Sequence, residues 1–226
     1  MIKSWGIFPE ELIIGPVEIR DTVLITWSVM FILIGFSVLL RRKLSLYQPS
    51  RWQLLLEALM EGAEKLCQDI LKKDYLRALP FLLTLWLFIG TCNLIGIIPG
   101  FYPPTSDLST PLAFAFSAFL MRHFLGIQIK GFKGYLAHFF KPFFLFPLHL
   151  LAELTRSLAL AVRLFGNILS GEIVALILLG IAGLILPIPF IFLHLILGVL
   201  QAYLFGILSL AFLSQAIEDN QNKEEI

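Results

Sequence analysis

The chain has 226 residues, 58% of them hydrophobic, and a formal net charge of +1. Its mean hydropathy of +0.86 is too apolar for a soluble globular domain, and the charge balance gives no reason to expect nucleic acid as a partner. Its two cysteines, Cys67 and Cys92, lack metal-ligand spacing, so neither a disulfide framework nor a zinc site is expected.

Glu10, Glu11, Glu18 and Asp21 precede the first apolar run, where a signal peptide would carry a basic segment. Several runs reach the ~20 residues that cross about 30 Å of hydrocarbon. The expected fold class is therefore an all-α integral membrane protein: five membrane-embedded helices, one interfacial amphipathic helix, and a single membrane domain over 1–226.

The first crossing is expected over 22–40, ending at Arg41-Arg42-Lys43, after which Gln48-Pro49-Ser50 breaks the chain. Over 51–75 the pattern changes. Trp52, Leu55, Leu56, Leu59, Ala63, Leu66, Cys67, Ile70 and Leu71 recur at three-to-four spacing, with Glu57, Glu61, Glu64, Asp69, Lys72 and Lys73 between them. Ser50 followed by Gln53 reads as a capping box. Such a helix lies along the membrane interface rather than crossing it.

Further crossings are expected over 79–98, stopped by Pro99-Gly100, and over 112–129, after the polar loop from Tyr102 to Pro111. Lys130, Lys133 and Lys141 then mark a basic loop. No proline interrupts 148–186, and a continuous helix there would be roughly 58 Å long. It must tilt, kink near Gly166 or Gly171, or emerge into water. Pro187 and Pro189 turn the chain into a long last helix over 190–216, followed by a charged tail. With five crossings, the Lys and Arg clusters share one side. The positive-inside rule then puts the amino terminus outside and the carboxyl terminus in the cytoplasm.

Arg163 stands in an apolar stretch, with Arg156 and Glu172 its nearest charged neighbours in sequence. A mid-span charge costs about 2.5–3.5 kcal/mol on insertion scales, so Arg163 must face a partner or water. His149, Arg156, Arg163 and Ser170 recur every seven residues and line one helix stripe, flanked by Glu153 and Asn167. On the last helix His194 and Gln201 share that spacing, with Gln215 fourteen residues beyond Gln201. Two readings stay open for these stripes: a buried ion path, or interhelical hydrogen bonds that only hold the bundle together. Arg156 is read as snorkelling or pairing with Glu153, and His149 as either a headgroup-level residue or part of a proton path.

Arg163-Leu-Phe-Gly-Asn167 resembles subunit a of the rotary F-type ATP synthases. The approach Glu153-Leu-Thr-Arg156-Ser-Leu-Ala-Leu-Ala-Val, the following Ser170-Gly-Glu172, and His194 with Leu200-Gln201-Ala-Tyr-Leu-Phe extend the likeness. The close Leu-Ser-Gln215-Ala-Ile-Glu218, Asn93 before Pro99, and Pro104-Thr-Ser-Asp107 carry it across the chain from about Trp52 onward. Ser157 stands where many relatives have proline, and His149 where many have an acid. The chain is also similar to the subset described as sodium-linked.

The resemblance implies an ion-translocating stator beside a rotating ring of c subunits, with b-type peripheral stalk subunits and a soluble nucleotide-binding head as further partners. It places the protein in a bacterial or archaeal plasma membrane, among membrane lipids. Arg163 would exchange ions with the ring carboxylates, and Glu172, His194, Gln201, Asn167, Asp107, Asn93, Glu153, His149 and Ser170 would line or order two half-channels. No cofactor and no nucleotide site are expected in this chain. The competing reading is a secondary transporter that binds an anionic substrate at Arg163; it would want inverted repeats, and none is visible.

Overall fold

The computed structural model describes residues 11–14, 17–44, 50–72, 75–96, 102–140, 146–183 and 185–218. Six long helices dominate the described residues: α1 (Asp21–Lys43), α2 (Arg51–Leu71), α3 (Tyr75–Ile95), α4 (Ser109–Phe140), α5 (Phe146–Ala182) and α6 (Pro187–Glu218). All except α2 contain a stretch long and apolar enough to cross a membrane. The breaks expected at Gln48-Pro49 and Pro99-Gly100, and the positions of Lys141 and of the tail beyond 218, lie outside the described residues.

Two short strands, β1 (Glu11–Ile14) and β2 (Val17–Arg20), pair antiparallel just before α1, with Ile14 opposite Val17. The sequence carries no expectation of a strand there. Four residues a side are too few to show a periodicity beside the long apolar run that follows.

The helix starts and stops follow local chemistry. Ser50 caps α2 by accepting the Gln53 backbone N–H at 3.3 Å, and the Gln53 amide donates to Glu57 Oε1 at 2.8 Å. The helix ends at Leu71, four residues before the expected end, with Lys72 at φ 52 turning the chain toward α3. The third crossing runs Ser109–Ile129, starting three residues before the expected 112, and a further helical stretch resumes beyond a sharp break at Gly131, whose φ of 71 suits a residue without a Cβ. α5 runs unbroken for 37 residues, with no kink at Gly166 or Gly171, and stops before Gly183 at φ 68. That leaves tilt or emergence into water to accommodate its length.

Side-chain spacing explains the packing. On α3, Ala78, Leu82, Leu85, Ile89 and Cys92 recur every three or four residues and are buried as one seam. Leu85 and Ile89 join Ala115 of α4, Leu160, Ala161, Leu164 and Ile168 of α5, and Ala202 and Phe205 of α6 in one core cluster. A second cluster ties α2 to the bundle through Ala63, Cys67 and Leu71, packed on Ala78, Leu82, Leu125, Leu210 and Leu213. Small residues let helices approach closely, as is usual where lipid supplies no hydrophobic drive. A Cβ on Gly206 would sit 2.2 Å from Trp86 Nε1, so only glycine admits that indole between α3 and α6. By contrast α1 is almost wholly exposed, with Trp27, Phe31 and Ile32 on its open surface.

Candidate functional site: a polar seam along the two long helices

α5 and α6 pack antiparallel, and their polar stripes meet. Gly171 lies against His194: a Cβ there would be 1.8 Å from the imidazole Nδ1. Asn167 Nδ2 donates to Gln201 Oε1 at 2.8 Å, and Arg156 Nη1 donates to Gln215 Oε1. These contacts step down α5 as they climb α6, so the seven-residue spacing on each helix becomes one continuous seam. Gln201 is 2% exposed and holds the inner end of its bond. Arg163 sits between the Asn167–Gln201 and Arg156–Gln215 contacts, exposed on the open face of α5, with no ion pair or hydrogen bond to another described residue. Ser170 shares that open face, and its hydroxyl donates to the Asn167 carbonyl at 3.1 Å.

One end of the seam is closed by the loop before α4. Asn93 of α3 is buried, donates from Nδ2 to the Gly198 carbonyl of α6 at 2.8 Å, and accepts from Thr105 Oγ1 at 2.7 Å. Asp107 accepts from Thr22 of α1 at 3.2 Å and from the Ser109 backbone N–H at 3.2 Å. Ser106, between them, lies beside the Glu172 carboxyl, its hydroxyl donating to the Pro103 carbonyl at 2.9 Å. Residues 103–109 therefore gather α1, α3, α5 and, through Asn93, α6 around the level of Glu172 and His194.

At the other end, Glu153 is 4% exposed and its carboxylate meets α4. Arg122 Nη1 lies 2.8 Å from Oε1, and His123 Nε2 lies 3.9 Å from Oε2. This corrects the expected pairing of Glu153 with Arg156, whose side chain reaches across to Gln215 and over the Phe212 ring at 5.7 Å. Arg122 and His123 were passed over in the sequence reading, although a charge inside the apolar run over 112–129 is the same signal that marked Arg163. Thr105 and Ser106 carry no such signal, since hydroxyls are common in loops. His149 lies in the first turn of α5, but its side chain is outside the described residues.

Five helices able to span a membrane, with a seam of amides, carboxylates, histidines and arginines along them, define a polytopic membrane protein. The profile of the family described as "ATP synthase A chain" matches residues 23–214. Named relatives agree. "ATP synthase subunit a" of Legionella pneumophila (strain Corby) is 44% identical over 213 residues, covering 94% of this chain and 93% of the relative. "ATP synthase subunit a 1" of Hahella chejuensis is 42% identical over 211 residues, 93% and 89% of the two chains. "ATP synthase subunit a" of Albidiferax ferrireducens is 40% identical over 222 residues, 96% of each. The chain belongs to the ATP synthase A chain family, the ion-conducting stator subunits of the membrane sector. Membership decides between the competing readings, against an independent transporter of an anionic substrate.

Proposed function

We propose that Arg163 is the group that exchanges ions with the mid-membrane carboxylates of a rotating c ring. The observation that carries this reading is a guanidinium exposed on a helix face within the bundle's apolar zone, unpaired among the described residues, with the Asn167–Gln201 bond one turn away. A passing ring carboxylate would supply the missing counter-charge. Facing Arg163 it is favoured in its ionised form and gives up its ion, and the same positive charge bars a cation from leaking between two half-channels. Ions then cross only by riding the ring, and that rotation drives ATP synthesis or is driven by hydrolysis in a soluble head.

On this reading Glu172, His194, Asp107 and Asn93 belong to one half-channel, and Glu153 with His149 to the other. Asn167, Gln201 and Ser170 order the stretch near Arg163. The exposed flank of α1 suits a b-type stalk helix. The protein lies in a bacterial or archaeal plasma membrane, and the positive-inside rule puts its amino terminus outside and its carboxyl terminus in the cytoplasm. The complex should co-purify with a ring of small hydrophobic subunits and a nucleotide-hydrolysing head. In reconstituted vesicles Arg163→Ala should abolish ATP synthesis while the subunit remains assembled; synthesis at the wild-type rate would overturn the reading.

A further inference from the structure

The stator reading gives α1 a stalk to carry and no part in ion flow, yet a polar contact ties this helix to the seam. Among the described residues of α1 only Thr22 and Val29 are buried, Thr22 to 2% exposure. The Thr22 hydroxyl, in the first turn of the helix, donates to Asp107 Oδ2 at 3.2 Å, a partner 85 residues away. The other carboxylate oxygen of Asp107 accepts the Ser109 backbone N–H and so caps the start of α4.

Asp107 closes a single turn of 3-10 helix, Pro104–Ser106. Such a helix has three residues per turn, so consecutive side chains leave it about 120° apart. Here they reach three different helices. Thr105 donates to Asn93 of α3, Ser106 lies beside Glu172 of α5, and Asp107 takes the Thr22 hydroxyl of α1. The turn is stiff. Pro103 and Pro104 restrict its entry, and the Pro103 carbonyl accepts both the Ser106 N–H and the Ser106 hydroxyl at 2.9 Å. The Pro103 ring lies against Gly96, where a Cβ would come 2.9 Å from Cγ, and Pro104 and Thr105 are fully buried. A segment held in this way moves as one piece, so the place of Asp107 fixes where Ser106 stands against Glu172.

We propose that Thr22 is a positioning residue of the half-channel at Glu172 and His194: by holding Asp107 it sets the 104–107 turn against Glu172 and makes α1 a support of that channel. This rests on the stator reading given above. Thr22 touches no transported ion and acts through Asp107 and Ser106. The same line of contacts runs from the helix with the stalk-ready flank to the vestibule, so a displacement of α1 reaches Glu172 instead of being lost in lipid.

The test uses the whole complex in vesicles and measures ion flux per assembled complex while the transported ion, proton or Na+, is varied on the Glu172 side of the membrane. Thr22→Val keeps the shape of the side chain and removes its donor. The half-saturating concentration should change by about two- to tenfold, the range that one lost hydrogen bond spans, with assembly intact. Thr22→Ser keeps the hydroxyl and should restore most of the wild-type value. Asp107→Ala should shift half-saturation at least as far, and adding Thr22→Val to it should shift it no further, because the two residues act in one line. If the bond merely fastens α1, Thr22→Val lowers the yield of assembled complex and leaves half-saturation per complex unmoved. That result overturns the proposal, as would two shifts that simply add. Arg163→Ala is the separate control. If it abolishes coupling while Thr22→Val saturates like the wild type, the positioning role fails and the stator reading stands; if Arg163→Ala couples normally, the stator reading falls and this inference with it.

Discussion

At the scale of single residues, the described arginines of α4 and α5 divide into two that are met within the chain and one that is left open. Arg122 and Arg156 find Glu153 and Gln215, whereas Arg163 is left open. Arg163→Lys should therefore fail nearly as completely as Arg163→Ala in ATP synthesis by reconstituted vesicles, because an ammonium on a flexible stem does not reproduce a planar, five-donor fork. Glycines divide in the same way. Gly206→Ala would drive a Cβ to 2.2 Å from Trp86 Nε1, so it should lower the melting temperature of the purified subunit and loosen α3 from α6. Gly62→Ala meets nothing within 4 Å on α2 and should instead stabilise by about 0.5–1 kcal/mol through helix propensity. Equal melting temperatures for the two variants would contradict this close-packing account.

Among the elements, α2 behaves unlike the rest. It has charged residues through its length, with Glu61 and Lys65 both well exposed and paired only loosely at 3.9 Å, a contact worth little in stability. Its inner stripe buries Ala63 and Cys67 completely. Burial, assisted by Glu64, pushes the Cys67 thiol from an ordinary 9.0 up to about 11. A folded thiol that holds its proton more tightly than an unfolded one contributes stability that is complete below pH 9 and lost as the pH rises through about 11. An impermeant maleimide should thus leave Cys67 unmodified at pH 7–8, and modification should begin only as the pH approaches that range. Glu61→Cys should be labelled readily from the cytoplasmic face alone. Labelling from the opposite face would reverse the proposed topology, since every later crossing would change direction.

For the whole molecule, the loop over 103–109 and the α5–α6 seam bring Glu172 and His194, 22 residues apart in sequence, to one level of the bundle. If both serve one half-channel, replacing each alone should slow ion flow, and Glu172→Gln/His194→Ala should lose far less than the sum of the two losses in log rate. Strict additivity would leave them as two separately satisfied polar groups. The Asn167–Gln201 bond contributes on the order of 0.6 kcal/mol, as interhelical hydrogen bonds in membranes do. Removing Arg122 takes the close counter-charge from the buried Glu153 carboxylate and costs about 3–5 kcal/mol.

Apolar run length and the spacing of polar residues are local properties, so five crossings, the amphipathic α2 and the stripe through Arg156, Arg163 and Ser170 were all legible in the chain before any coordinates. The same holds for the family, because its motifs are contiguous in sequence. Partner choice is not local. That Glu153 turns to Arg122 on α4 rather than to Arg156 three residues on, that Gly171 exists to receive His194, and that Asn93 bonds a carbonyl 105 residues away follow from how the helices are laid side by side. A side chain's reach along its own helix is fixed by the 3.6-residue turn, but what it meets depends on which face another helix covers. Only the tertiary structure decides that.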